Sequence, residues 1–119
     1  AGVDVVFSCA GASLDMRALG DRRTFAEVDE RGNLALLDAA RRAGVGRFGY
    51  VSLAGGPSLA HTEYARAHEA VVGALARSGM PHTVVRPTAF FWFLDEMVRM
   101  ARGGRGAVIG DGTARTNPI

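Results

Sequence analysis

The sequence predicts an α/β fold: a partial doubly wound parallel sheet in which three main parallel strands alternate with helices. Three observations carry that expectation. Short apolar, β-branched runs alternate with longer stretches of helical periodicity, in the order strand, helix, strand, helix, strand, helix. The first run, residues 2–8, is nearly continuous in apolar residues, as suits a strand buried on both faces of a parallel sheet. The whole chain of 119 residues, 48% of them hydrophobic, holds one domain's core or less.

The first strand is followed by the small residues Cys9-Ala10-Gly11-Ala12-Ser13, and then by a polar, mixed stretch, 14–23, that reads as loop with room for a short helical turn. Thr24-Phe25-Ala26-Glu27 is a capping box: the threonine hydroxyl serves the third amide and the glutamate reaches back. The helix it opens is expected to run to about Ala43, burying Val28, Ala35, Leu36, Ala39 and Ala43. Gly44 stops it as a left-handed cap, with Val45 as the apolar clasp. The second strand covers 47–52, and Ala54-Gly55-Gly56-Pro57 is a loop. A second helix starts near Thr62 and ends before Gly79 and Pro81. The third strand covers 82–86 and is closed by Pro87; a third helix, roughly 90–102, ends at Gly103-Gly104. A short last strand is expected at 107–109, with loop after it.

Composition narrows the function. All 14 basic residues are arginine, scattered among 12 acids for a net charge of +2, the pattern of solvated faces rather than of a nucleic-acid footprint. With no lysine, this chain cannot supply a phosphate-loop lysine, a Schiff base or a Tyr-x-x-x-Lys dyad. No apolar run reaches a membrane-spanning length, no basic-then-apolar leader stands at the start, and the one cysteine cannot pair internally; a cytoplasmic protein with no membrane partner is expected. Three parallel strands are few for such a sheet, and the first has no sequential partner before it. An open apolar edge invites aggregation. The strand is therefore expected to pair outside this chain, so that residues 1–119 form the second half of a dinucleotide-type domain or pair with another chain.

Together, "SCAGAS" after the first strand, "VDERGNLALLDAARRAGVGRFGYVS", "HTEYARAHEAVVGALARSGMPHTVVRPTAFF" and "VIGDGTARTNPI" resemble an atypical short-chain dehydrogenase/reductase. More narrowly they resemble its NAD(P)-binding, NmrA-like and epimerase-like branch. The likeness covers nearly the whole chain, from that family's fourth strand to just past its sixth. It implies a Rossmann-type domain with NAD or NADP as cofactor, and hydride transfer on a small organic carbonyl or alcohol. The branch also contains non-catalytic redox sensors and regulators, which is the alternative function. The family's glycine-rich phosphate loop would lie upstream. Gly103-Gly104-x-Gly106 follows a helix rather than leading from a strand into one, so it reads as helix termination. Without the phosphate loop, this chain alone is expected to hold a dinucleotide poorly.

In an open parallel sheet, ligands bind beyond the carboxyl ends of the strands. There the resemblance puts Cys9, Ala10 and Gly11 on the adenine side of the dinucleotide; the other reading is a turn that needs small residues. Ser52 takes the place of the family's catalytic serine or threonine, or simply caps the next loop. Tyr64 and His68 lie four apart, so they share one helix face, which Val71 and Leu75 continue into the core. They match the family's Tyr-x-x-x-Lys pair, which donates a proton and holds the ribose, but histidine replaces lysine. A neutral imidazole lowers a phenol's pKa far less than a fixed cation does. Catalysis by Ser52, Tyr64 and His68, dinucleotide contact by Tyr64 and His68, and mere lining of the helix–sheet interface all remain readings of these residues. Pro87, Thr88, Ala89 and Phe90 are implied to flank the nicotinamide, and Thr88 also suits a helix cap. The surplus aromatics Phe90, Phe91, Trp92 and Phe93 suit an apolar substrate pocket, a homo-oligomer interface or packing against a further part of the protein. His61, Glu63 and His68 are not spaced to put three ligands on one face, so no metal is expected.

Overall fold

A computed structural model describes residues 2–12, 23–106, 111–113 and 115. The expected strand at 107–109 and most of the loop at 14–23 lie outside the described residues. Three strands, β1 (Val5–Ser8), β2 (Arg47–Val51) and β3 (His82–Val85), form one parallel sheet in the order β1-β2-β3. The register sets Val6 beside Phe48 and Ser8 beside Tyr50, and in turn Phe48 beside His82 and Tyr50 beside Val84. Because side chains alternate along a strand, Val6, Ser8, Phe48, Tyr50 and Val84 share one face. Val5, Phe7, Gly49, Thr83 and Val85 share the other.

Both crossovers cover the first face. Between β1 and β2, a wide π-helical turn at Ala26–Gly32 runs into α1 (Asn33–Arg42). Between β2 and β3, a short 3-10 turn at Gly56–Leu59 leads to α2 (Glu63–Arg77). Leu37, Ala40 and Val45 from the first crossover and Val71 and Leu75 from the second close on Phe48 and Tyr50, both 0% exposed. This is the core.

The local signals for these elements are visible. The Glu27 amide donates to the Thr24 hydroxyl at 3.2 Å, and the Thr24 amide donates to the Glu27 carboxylate at 2.9 Å, the reciprocal pair of a capping box. That bond holds the Glu27 carboxyl below its usual pKa. Gly44 sits at φ +70° and the Val45 amide reaches back to the Ala40 carbonyl at 3.0 Å, which closes α1 as glycine allows. Thr62 caps α2 by accepting from the Ala65 amide at 3.2 Å.

The buried face of the first helix differs from the expected one. Ala35, Leu36, Ala39 and Ala43 are exposed and Val28 is half-buried; Asp29, Asn33, Leu37 and Ala40 are buried. The reason is polar. Asp29 and Asn33 are held by the chain that follows β1, and this fixes the rotation of the helix. Counting apolar residues alone misses a stripe that begins with two hydrogen-bonding side chains.

The chain divides into two compact units, 1–86 and 87–119. The second carries α3 (Phe91–Arg102), which has no buried residue, with Trp92 and Phe93 in edge-on contact at 6.1 Å. Its end is as expected: Gly104 at φ +71° turns the chain, and the Arg105 amide bonds the Met100 carbonyl at 2.9 Å.

Candidate functional site

The carboxyl ends of β1 and β2 meet a cluster of polar side chains on the helix-covered face. Ser8, the last residue of β1, is buried and donates to Asn33 Oδ1 at 2.5 Å. Asn33 Nδ2 in turn donates to the Ala10 carbonyl at 3.0 Å and to the Asp29 carbonyl at 2.8 Å. The Ala12 amide donates to Asp29 Oδ2 at 2.9 Å. The segment after β1 is thus pinned at both ends to the first helix, while Cys9, Ala10 and Gly11 themselves face solvent. Gly11 suits this closure: a Cβ would lie 2.9 Å from Asp29 Oδ1 and would push the carboxylate aside.

From β2, the Tyr50 hydroxyl meets His68 Nδ1 at 2.7 Å in the buried interior. His68 Nε2 stands 3.2 Å from Asp29 Oδ1, a close electrostatic contact without hydrogen-bond alignment. A carboxylate beside Nε2 favours the proton on that nitrogen, so Nδ1 accepts from the Tyr50 hydroxyl; the tautomer is assigned on that ground. Burial pushes the His68 pKa down, against the pull of Asp29. The ring is therefore neutral at neutral pH. Burial, reinforced by the Asp29 charge, also pushes the Tyr50 phenol far up.

Tyr64 lies one turn before His68 on α2. Its ring stands edge-on to His68 at 4.6 Å and to Phe25 at 5.2 Å, and it is half-buried. Burial first and the Asp29 charge second raise its pKa, so the phenol keeps its proton. Val71 and Leu75 continue this face into the core.

Ser52 is the first residue beyond β2, one residue short of the strand end expected at 52. Its amide prolongs the pairing with β3 by donating to the Val85 carbonyl at 2.8 Å. It is 4% exposed, and its hydroxyl has no hydrogen-bond partner among the described residues. The loop after it is latched by Arg86, which donates to the Leu53 carbonyl at 3.1 Å and grips Glu69 on α2 through both guanidinium nitrogens, at 2.5 and 3.1 Å. A Cβ at Gly56 would meet the ends of both side chains and force that grip to shift.

The structure therefore brings the segment Cys9–Gly11 and the side chains of Ser52, Tyr64 and His68 to the carboxyl side of the sheet within the first unit. Pro87, Thr88, Ala89 and Phe90 belong to the second unit and follow β3 in the chain. Among the described residues no group of three or more His, Cys, Asp or Glu could hold a metal ion, and no helix is long and apolar enough to cross a membrane. A shallow groove elsewhere, between α1 and α2, is lined by Leu34, Leu37, Arg41, Ala74 and Arg77 and shares no side chain with the cluster. Sequence reasoning missed Asp29, Asn33 and Tyr50. The available signal was spacing: Asp29, Asn33 and Leu37 fall at successive intervals of four, and Tyr50 alternates with Phe48.

Residues 1–111 match the family of NAD(P)H-binding proteins. The fold is similar to a solved structure described as an NAD-dependent epimerase/dehydratase from Bacillus halodurans, with a TM-score of 0.62 and 25% identity over 73% of this chain and 41% of that one. The chain thus matches about two fifths of the length of that structure. No curated protein sequence matches it. The parallel sheet, its helix-covered carboxyl end and the family match agree: this chain belongs to the NAD(P)H-binding family and carries a partial Rossmann-type α/β fold.

Proposed function

We propose that this chain is the substrate-side half of a nicotinamide-dinucleotide site, and that the full-length protein transfers hydride between NAD or NADP and a small organic carbonyl or alcohol. The observation that carries this reading is the Ser52 hydroxyl, buried at the carboxyl end of β2 with no hydrogen-bond partner among the described residues. Leaving such a group unmatched costs about 1–3 kcal/mol, and a substrate oxygen that displaced the groups covering it would satisfy it. The fit to a dinucleotide is supported on the other side by Cys9–Gly11, where small exposed residues leave the backbone open to a ribose.

When bound, the dinucleotide would supply a hydride from nicotinamide C4. In that reading Ser52 orients the substrate oxygen. Tyr64 gives its phenolic proton to that oxygen as the carbonyl carbon gains the hydride, and solvent restores the proton. A phenol held protonated by burial and by Asp29 suits this direction, in which an acid is needed. His68 has one ring nitrogen on Tyr50 and the other on Asp29, so we assign it to positioning Tyr64 rather than to holding a ribose.

The same histidine favours a second reading, a dinucleotide-binding redox sensor or regulator that does no chemistry. A neutral ring beside Tyr64 does not ease formation of the phenolate that repeated turnover requires. Oxidation of NAD(P)H by the full-length protein across a panel of aldehydes and ketones separates the two. Tyr64→Phe removes only a hydroxyl. Turnover should fall by about 10²–10⁴-fold, with dinucleotide affinity little changed. Tight dinucleotide binding without turnover for any carbonyl would instead establish the sensor.

A further inference from the structure

We propose that Asp29 is a positioning residue: its buried carboxylate bridges the segment after β1 and the imidazole of His68, so one side chain fixes the dinucleotide-side loop and the setting of the tyrosine at once. The functional meaning rests on the dinucleotide-site reading above; the bridge itself does not. Asp29 is 1% exposed. One carboxylate oxygen takes the Ala12 amide at 2.9 Å and the other faces His68 Nε2 at 3.2 Å. Its own carbonyl is held by Asn33 at 2.8 Å, so the residue cannot drift. Gly11 lets the loop close on it.

The chemistry argues for more than packing. A buried carboxylate facing a neutral ring is costly, and an asparagine would hold the Ala12 amide at lower cost. What only the carboxylate provides is a fixed polarity. It keeps the proton on His68 Nε2, which makes Nδ1 an acceptor and turns the Tyr50 hydroxyl toward it. It also sets a negative charge near Tyr64, keeping that phenol protonated. The titratable and charged groups around this point are Asp29 from the first crossover, Tyr50 from β2, Tyr64, His68 and Glu69 from α2, and Arg86 beyond β3. Glu69 and Arg86 largely satisfy each other, which leaves Asp29 as the charge that acts on Tyr64.

Asp29→Asn tests this in the full-length protein. The side chain keeps its size, and its amide oxygen can still accept from Ala12. Its amide nitrogen now faces His68 Nε2, which reverses the tautomer, and the charge is gone. The readout is the pH titration of the Tyr64 ring carbon bearing the hydroxyl, followed by carbon-13 NMR and identified by its loss in Tyr64→Phe. The Tyr64 midpoint should move to lower pH in Asp29→Asn, and the alkaline limb of any carbonyl reduction should move with it. A merely structural Asp29 would leave the midpoint of the folded variant where it was, and that result overturns the proposal. A moved midpoint in a protein that reduces nothing would uphold the bridge while removing the enzymatic reading. Should the variant not fold, hydrogen exchange of the Ala12 amide in the unaltered protein decides. Strong protection at neutral pH is expected, and exchange at the rate of an unbonded loop amide overturns the proposal.

Discussion

The two faces of the sheet are built from similar residues and have opposite fates. On one, Phe48 and Tyr50 are completely buried beneath α1 and α2. On the other, Val5 and Phe7 are 56% and 58% exposed, although Val5 is as apolar as its neighbour Val6. The difference shows where the chain's own energy lies. Burial of apolar surface stabilises only the face that the crossovers reach. The polar cluster of Ser8, Asp29, Asn33, Tyr50 and His68 sits on that covered face, where low polarity makes each hydrogen bond and charge count for more.

Paired truncations should separate the two faces by the largest margin. Phe48→Ala should cost about 3–5 kcal/mol, because it opens a cavity in a closed core. Phe7→Ala on the open face should cost under about 1 kcal/mol. Equal losses in urea unfolding would mean that the open face is covered in solution.

Acid should expose the covered face next. Burial depresses the His68 pKa below its ordinary 6.5, so the folded state resists a proton that the unfolded chain accepts. Stability from this source is complete above about pH 6.5 and is lost as pH falls through the folded value. Unfolding free energy followed from pH 8 to pH 5 should show that decline, and His68→Gln should flatten it.

The smallest effect belongs to Gly49, whose missing side chain leaves room for the Phe7 ring lying across it on the open face. Gly49→Ala displaces that ring. Since the ring is exposed it can swing away, so the cost should be slight and should vanish in a Phe7→Ala background. A large, persistent cost would mean that the ring is fixed by something on that face.

These contrasts also explain what could be read from the sequence. Thr24–Glu27, Gly44, Thr62 and Gly104 each act locally, through their own hydroxyl, carboxylate or backbone freedom, and each does in the structure what its position implied. The parallel sheet followed from the alternation of strand and helix. The rotation of α1 did not, because it is set by two hydrogen bonds, one donated by the Ala12 amide to Asp29 and one donated by Asn33 to the Ala10 carbonyl, each joining residues about twenty apart. For the same reason Tyr64 and His68 were legible as a pair on one helix, whereas the groups that hold His68, Asp29 and Tyr50, come from two other elements. That the Ser52 hydroxyl has no hydrogen-bond partner among the described residues is a property of the folded surroundings alone.

The proposed ligand site lies at the carboxyl ends of β1 and β2, on the helix-covered side. Titration of NAD or NADP into the nitrogen-15-labelled full-length protein tests it directly. The amide signals of Gly11, Ala12, Ser52 and Tyr64 should shift with a common saturation curve, while Gly46 and Arg47 at the opposite end of the sheet stay still. Shifts at Gly46 and Arg47, or along the α1–α2 groove at Leu34 and Arg77, with Gly11 and Ser52 silent, would contradict it.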